Sequence, residues 1–358
     1  MKFSLLYEMQ IANPTRASEA KLFRDCVDQA VLADKLGYNT IWAVEHHGLH
    51  EYSHCSAPEI FLSVVAAKTE NIRIGHGVTL TPKKYNHPIR IAERVATLDI
   101  YANGRVNWGS GKSGSMTEMG AFEVDRETLN QEWIEALDMI PRMWKDEVFE
   151  YDGQFFKIPP IQVVPKPVQL PHPPIFGACV RQEAVEFMAS QGVGALCFAM
   201  GDENALRDLV QAYRDNFVDD DTRPYEANNH IALTPQAFCL NDDRDAVRHG
   251  YGGLRFFNQT MGVYYFGKNR RSAVPKFVRR TLPTDDEISA YINHRGTENA
   301  AGLPVIGDPA YCRDVIARYQ STGVDEIILL MQVGLAPGEK VLESIRTFGE
   351  EVMPHFAD

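Results

Sequence analysis

The sequence predicts an α/β chain closed into a (β/α)8 barrel, on three observations. Strand-like and helix-like segments alternate along almost all of its 358 residues. Eight such units can be counted, and no internal repeat of roughly 20 to 50 residues offers a solenoid instead. Residues suited to chemistry gather just after the strands, where barrels of this kind keep their active sites.

Residues 2–7 (KFSLLY) read as the first strand, 18–36 as an amphipathic helix ending at Gly37, and 39–44 (NTIWAV) as the second strand. A helix near 57–68, a strand at 72–80 (IRIGHGVTL), a helix at 88–102 and a strand at 105–109 (RVNWG) follow, and a long helix at 126–144 closes the fourth unit. The stretch 158–174 (IPPIQVVPKPVQLPHPP) cannot be regular helix or central strand, because proline has no N–H to give. It is expected to be a rigid surface excursion. Strand 174–178 (PIFGA), helix 181–191, strand 194–198 (GALCF) and helix 203–217 supply units five and six. A seventh strand fits 230–238 and an eighth 324–332 (VDEIILLMQ), with a last helix at 339–353. The long stretch between those two strands holds Gly250, Gly252, Gly253 and the aromatic run 256–266, and loops of that length carry function or structure of their own. Alternation implies parallel strands with right-handed crossovers, and eight units favour a closed barrel over an open sheet. One domain, 1–358, is expected, with insertions at about 145–173 after strand four and about 254–305 between strands seven and eight.

Composition narrows the function. With 36 Lys+Arg against 48 Asp+Glu the net charge is −12, and no clustered basic face points to nucleic acid. The start MKFSLLYEMQ is a short apolar stretch broken by Glu8, unlike a signal peptide, and no segment approaches ~18 unbroken apolar residues. No membrane association is expected. The six cysteines (Cys26, Cys55, Cys179, Cys197, Cys239, Cys312) are scattered without a CxxC pair, which fits reduced thiols in a cytoplasmic protein.

Four strand ends carry candidate chemistry. The second runs into Glu45-His46-His47, with His50 and His54 following. Such imidazoles can serve as general acid or base, bind a metal, or hydrogen-bond within a polar loop, and HHGLH lacks the HExxH spacing of a zinc site. The third strand contains Gly75-His76-Gly77-Val78, where two glycines allow close backbone approach by a ligand or a bulge at a barrel corner. The fourth ends in Gly109-Ser110-Gly111-Lys112-Ser113; Val106 stands where a P-loop needs glycine, yet backbone amides and the Lys112 charge could still receive an anion. After the fifth, Cys179-Val180-Arg181 leads straight into a helix whose unpaired amides form an anion site. Each of these last two is also explicable as an ordinary surface loop or strand-to-helix turn. Cys179 has no neighbouring His or Asp to mark it as a nucleophile, so packing is its expected use. Trp42, Trp108 and Phe198 could line an aromatic cofactor pocket or belong to the core.

In order along the chain, TIWAVEHHGLHEY, NIRIGHGVTLTP, NHPIRIAERVATLDIYANGRVNWGSGKS and MGAFEVDRE resemble the bacterial-luciferase-like family of flavin-dependent monooxygenases. The spacing of His87-Pro88, Arg90, Glu93, Leu98-Asp99 and Gly104-Arg105 is similar to that family's signature between its third and fourth strands. The resemblance implies a TIM barrel and reduced FMN as co-substrate, delivered by a separate NAD(P)H:flavin reductase. It also implies O2 chemistry through a flavin C4a-peroxide, which oxygenates a small or medium organic substrate. His46 would then be the active-site histidine with Glu45 beside it in the cofactor pocket. Gly77 and Val78 would form a non-prolyl cis peptide under the flavin ring, and Gly109 would belong to the cofactor site. Lys112, Cys179, Val180 and Arg181 would hold the phosphate. No metal is implied. Lys112 stands where the luciferase subunit has arginine, and Gly111 where it has a reactive cysteine, so a roomier pocket and no light emission are expected. A homodimer is expected, with helices between residues 57 and 102 at its interface, and variable loops at 48–56, 113–124 and 254–303 are expected to shape the substrate pocket. Alternatives are a deazaflavin-dependent oxidoreductase on the same fold, a non-catalytic flavin-binding protein, and a metal-dependent hydrolase using His46, His47 and His50.

Overall fold

The computed structural model describes residues 1–266, 276–295 and 302–356. Strand β1 (Lys2–Tyr7) leads to α1 (Arg16–Lys35), whose start is set by a capping box: the Thr15 hydroxyl accepts from the Ser18 amide and the Ser18 hydroxyl from the Thr15 amide. Then come β2 (Thr40–Ala43), α2 (Pro58–Lys68), β3 (Arg73–Leu80), α3 (Pro88–Tyr101) and β4 (Val106–Gly111). Pro58 and Pro88 open their helices, where the missing N–H costs nothing. A short helix α4 (Met116–Ala121), absent from the sequence reading, precedes α5 (Leu129–Lys145) and an antiparallel hairpin of β5 (Phe149–Asp152) and β6 (Lys157–Ile161). Alternation resumes with β7 (Ile175–Cys179), α6 (Gln182–Ser190), β8 (Gly194–Phe198), α7 (Glu203–Asn216) and β9 (Ile231–Thr234). The last part runs β10 (Ala237–Cys239), α8 (Asp243–Met261), a π-helical turn Gly262–Phe266, α9 (Asp285–His294), β11 (Val305–Gly307), α10 (Pro309–Ser321), β12 (Glu326–Gln332) and α11 (Gly338–Glu351).

Eight parallel strands close in the order β1-β12-β9-β8-β7-β4-β3-β2, as the alternation predicts. Closure pairs Lys2 with Glu326 and Phe3 with Ile327. The strands are buried nearly throughout because helices cover their outer face and their own side chains fill the interior. Glu326, at the lower end of β12, is buried yet paired: it accepts from Trp42 Nε1 at 3.1 Å and lies 2.8 Å from His230 Nε2. That His–carboxylate pair sits at the end of the barrel associated with stability.

One expected strand divides. The predicted strand 230–238 is two strands, because Pro235 interrupts the ladder; β9 stays in the barrel, while β10 leaves it to pair with β11. The proline-rich stretch starts as β6, a strand of a two-stranded sheet and so with one edge unpaired, which is where Pro159 and Pro160 are tolerated. Beyond it the chain is stapled by Asp99, wholly buried, which accepts from the amides of Val168 at 2.8 Å and Gln169 at 3.0 Å and from Gln169 Nε2 at 2.7 Å. In the stretch expected as the second insertion, α8 runs across residue 254 unbroken, and residues 267–275 and 296–301 lie outside the described residues.

Candidate active site

His46 lies three residues past β2 at the C-terminal mouth of the barrel, with 14% of its side chain exposed. Its Nδ1 is 3.1 Å from Oε1 of Glu118, a fully buried residue of α4. The same oxygen accepts the His47 amide at 2.8 Å, and the other accepts the Ser113 hydroxyl at 2.6 Å. Burial alone would raise the Glu118 carboxyl; the His46 charge and these donors outweigh it and hold it below its ordinary range. The Tyr265 hydroxyl lies 3.3 Å from the second imidazole nitrogen, Nε2, and 3.5 Å from Nδ1, and Glu8 Oε2 is 3.7 Å from Nε2.

Glu8 follows β1 directly and is buried; among the described residues its carboxylate has one hydrogen bond, a long one from Tyr52 Oη at 3.4 Å to Oε1. Burial pushes its carboxyl up to about 7, tempered by His46 and Tyr52. For His46 burial acts downward, but the charge and hydrogen bond of Glu118, then Glu8 and Glu45, carry it to about 9. At neutral pH His46 is therefore an imidazolium, equipped to donate a proton and unable to accept one.

Glu45 has a different place from the one expected beside His46. Its Oε1 is taken by Asn86 Nδ2 at 2.9 Å and His47 Nε2 at 3.2 Å, and its Oε2 by the Leu80 amide at 2.8 Å. It clamps the chain leaving β3. His50 points outward, half exposed, toward Glu51, which is itself bound by Arg280. His46, His47 and His50 thus diverge, and the described residues contain no group of three metal-ligating side chains.

Below His46, the Gly77–Val78 peptide is cis, at the position the resemblance implied. It shifts the β3–β4 register between His76 and Thr79. Val78 lies against two glycines of β4: a Cβ on Gly109 would come 2.2 Å from the His76 carbonyl oxygen, and one on Gly111 2.4 Å from Val78 Cγ2. The Cβ direction of Gly111 is therefore filled by Val78. Gly75 serves packing as well, since a Cβ would fall 2.3 Å from the Trp42 ring. Trp42 and Trp108 are core residues without exposure.

Lys112 and Cys179–Arg181 extend neighbouring strands, with Ser110 paired to Gly177. Lys112 is exposed, lies over the Trp133 ring at 5.4 Å, and has no ion pair with a described residue. Arg181 caps α6 without a side-chain hydrogen bond; Ala184 donates to the Arg181 carbonyl at 3.1 Å, and the amides of Gln182 and Glu183 before it have no acceptor among the described residues. A free cation beside free amides fits a phosphate. Val180 is exposed, whereas the Cys179 thiol is buried against Cys197, whose hydrogen bond, with burial, pushes it well up. Only the backbone of Cys179 is suited to an anion.

Sequence reasoning missed Glu8, Glu118, Tyr265 and Tyr52. Glu8 had a readable signal, a carboxylate placed immediately after a strand of a barrel. Glu118 and Tyr265 stand 72 and 219 positions from His46, and only the fold brings them together.

A closed parallel barrel that gathers a histidine and buried carboxylates at its C-terminal mouth has the layout of a (β/α)8 enzyme. The model of the luciferase-like monooxygenase family matches residues 1–326, and the chain belongs to that family. It is 26% identical over its whole length, and 96% of the other chain, to the oxygenase component of a flavin-dependent trigonelline monooxygenase of Acinetobacter baylyi. Over about half of each chain (49% and 53%) it is 25% identical to an F420-dependent glucose-6-phosphate dehydrogenase of Amycolatopsis mediterranei. Among solved structures, monooxygenase RslO1 of Streptomyces bottropensis superposes over 100% of both chains with TM-score 0.80 and 24% identity. The oxygenating constituent of 3,6-diketocamphane monooxygenase of Pseudomonas putida, in complex with FMN, does so with TM-score 0.76 and 17% identity, covering 99% and 98%. The chain is thus an oxidoreductase of a family with monooxygenase and F420-dependent branches.

Proposed function

We propose that this protein is the oxygenase of a two-component flavin monooxygenase, taking reduced FMN from a separate NAD(P)H:flavin reductase and using O2 to oxygenate a small or medium apolar organic substrate. The observation that carries this reading is the polarity of the mouth: Lys112, with no ion pair among the described residues, and the amides opening α6 at one end, and a protonated histidine at the other. Lys112, Arg181 and the amides opening α6 would hold the phosphate, and Gly77, Val78 and Gly109 would support the ring. Bound reduced FMN supplies the electrons that activate O2. The chain's own part is to orient that ring, exclude water and keep a proton on His46 Nε2.

In sequence, the full-length likeness to a flavin-dependent monooxygenase favours FMN, since the F420-dependent relatives match about half of the chain, although an F420-dependent secondary alcohol dehydrogenase superposes over all of it in fold. Helices α2 and α3 leave Ile60, Val64, Ile100 and Tyr101 exposed, which supports a homodimer through that face. Six unbonded, buried cysteines support a cytoplasmic setting, and none of the described helices is long and apolar enough to cross a membrane. The test is to supply the purified protein with reduced FMN and with reduced deazaflavin, each with and without O2, against a panel of ketones, aldehydes and terpenoids. Oxygen from labelled O2 should enter a product only with FMN. Anaerobic hydride transfer with deazaflavin would overturn the reading, and so would flavin binding without any turnover.

A further inference from the structure

Ser110 and Lys112 stand two positions apart where β4 ends, so their side chains fall on the same side of an extended chain. Trp133, near the start of α5, meets both. Its Nε1–H donates to the Ser110 hydroxyl at 2.9 Å, and the Lys112 ammonium lies over its ring, 5.4 Å from the centre. Ser110 and Trp133 are both buried, so the ring is fixed at its nitrogen. The same ring reaches the other half of the anion cradle: its centre is 5.7 Å from that of Phe187 in α6, the helix whose first amides lack acceptors among the described residues. Glu132, the carboxylate next to Trp133, is engaged elsewhere, accepting the Lys83 amide at 3.1 Å and the Thr128 hydroxyl at 2.9 Å. Among the described residues an aromatic face, and no carboxylate, holds the ammonium.

An aromatic partner suits a lysine that must receive an anion. A carboxylate would order Lys112 but cancel the charge that the anion needs. A ring orders it through its quadrupole and leaves the positive charge whole. Lysine has a flexible stem, and ordering that stem in advance lowers the cost of binding. We propose that Trp133 is a positioning residue of the anion cradle: it holds the Lys112 ammonium, without a countercharge, at a fixed place beside the amides opening α6, and so makes the site select a flavin that carries a phosphate over one that does not. The proposal rests on the reading that Lys112 and those amides hold the phosphate.

The probes are reduced FMN and reduced riboflavin, bound without O2, with both affinities measured by calorimetry. Their ratio is the phosphate selectivity of the site. Trp133→Leu should lower that ratio about threefold, and Trp133→Phe, which keeps a weaker ring, should lower it less. Lys112→Ala should lower it about tenfold, and adding Trp133→Leu to that variant should change it no further. Equal loss of both affinities in Trp133→Leu would overturn the proposal, as would the same fall in the ratio with and without Lys112. Wild-type selectivity kept in Lys112→Ala would overturn the phosphate reading and the proposal with it, whereas selectivity lost in Lys112→Ala and kept in Trp133→Leu overturns the proposal alone. A ligand-free measurement leaves the indole in place: proton NMR of the wild-type protein, with Lys112 assigned against Lys112→Arg, should show its ε-methylene protons displaced upfield by the ring current of Trp133. Protons resonating with those of exposed lysines would show that the ring does not hold the ammonium, and would overturn the proposal whether or not the Trp133 variants fold.

Discussion

Replacing Glu118 by Gln keeps the shape of the buried partner of His46 and removes its charge. Carboxylates lift His46 from 6.5 to about 9 against the downward pull of burial. At 1.36 kcal/mol per unit this shift amounts to about 3 kcal/mol. Glu118 is first among the lifting groups and sits at 3.1 Å. In Glu118→Gln the burial of His46 is opposed chiefly by Glu8 at 3.7 Å, so His46 should fall by about two units or more, to its ordinary range or below. The assay is the pH titration of the His46 ring resonances, paired with unfolding at several pH values. Because the folded value lies above the unfolded one, the His46 contribution to stability is complete below about pH 6.5 and is lost as pH rises through about 9. Glu8, raised from 4.5 to about 7, adds a loss of the same sign between those values. The wild-type protein should therefore lose on the order of 3 kcal/mol from His46 between pH 6.5 and 9, and the variant should lack that slope. A His46 still titrating near 9 in Glu118→Gln would refute the assignment of its charge to Glu118.

Three further perturbations separate scaffold from chemistry. Gly109→Ala drives a Cβ to 2.2 Å from a backbone carbonyl, which cannot rotate away, so calorimetry should show destabilisation of about 3 kcal/mol or more. Asp99→Asn puts an amide donor among the donors that staple residues 168–169, and should cost about 2 to 4 kcal/mol in denaturant unfolding while leaving the pH titration of His46 unchanged. Lys112→Ala should weaken FMN binding about tenfold and leave riboflavin binding unaltered, and raised salt should reproduce the effect in the wild-type protein.

The barrel was legible because strand and helix each leave a period in the sequence, and eight repeats of that pattern have few other solutions. The places where the reading slipped have local causes. Pro235 was visible inside the predicted strand 230–238, and its missing N–H is what splits β9 from β10. The signature between the third and fourth strands proves largely scaffold: His87 caps α3, Asp99 staples the proline-rich stretch, and Arg105 donates to the carbonyls of Ala66, Thr69, Ile72 and Ala102. His46 was found because it follows a strand. Its setting was not, because Glu118 reaches it from α4 and Tyr265 from a turn beyond α8. Glu45 stands next to His46, and its carboxylate bonds Asn86, His47 and the Leu80 amide, partners that adjacency in sequence does not show.

The most direct test of the account is a crystal structure of the protein with FMN. The account predicts the isoalloxazine over Gly77–Val78, the phosphate between Lys112 and the amides opening α6, and the reactive edge of the ring facing His46 and Tyr265. FMN bound elsewhere, or with its phosphate at the His46 end of the mouth, would contradict it.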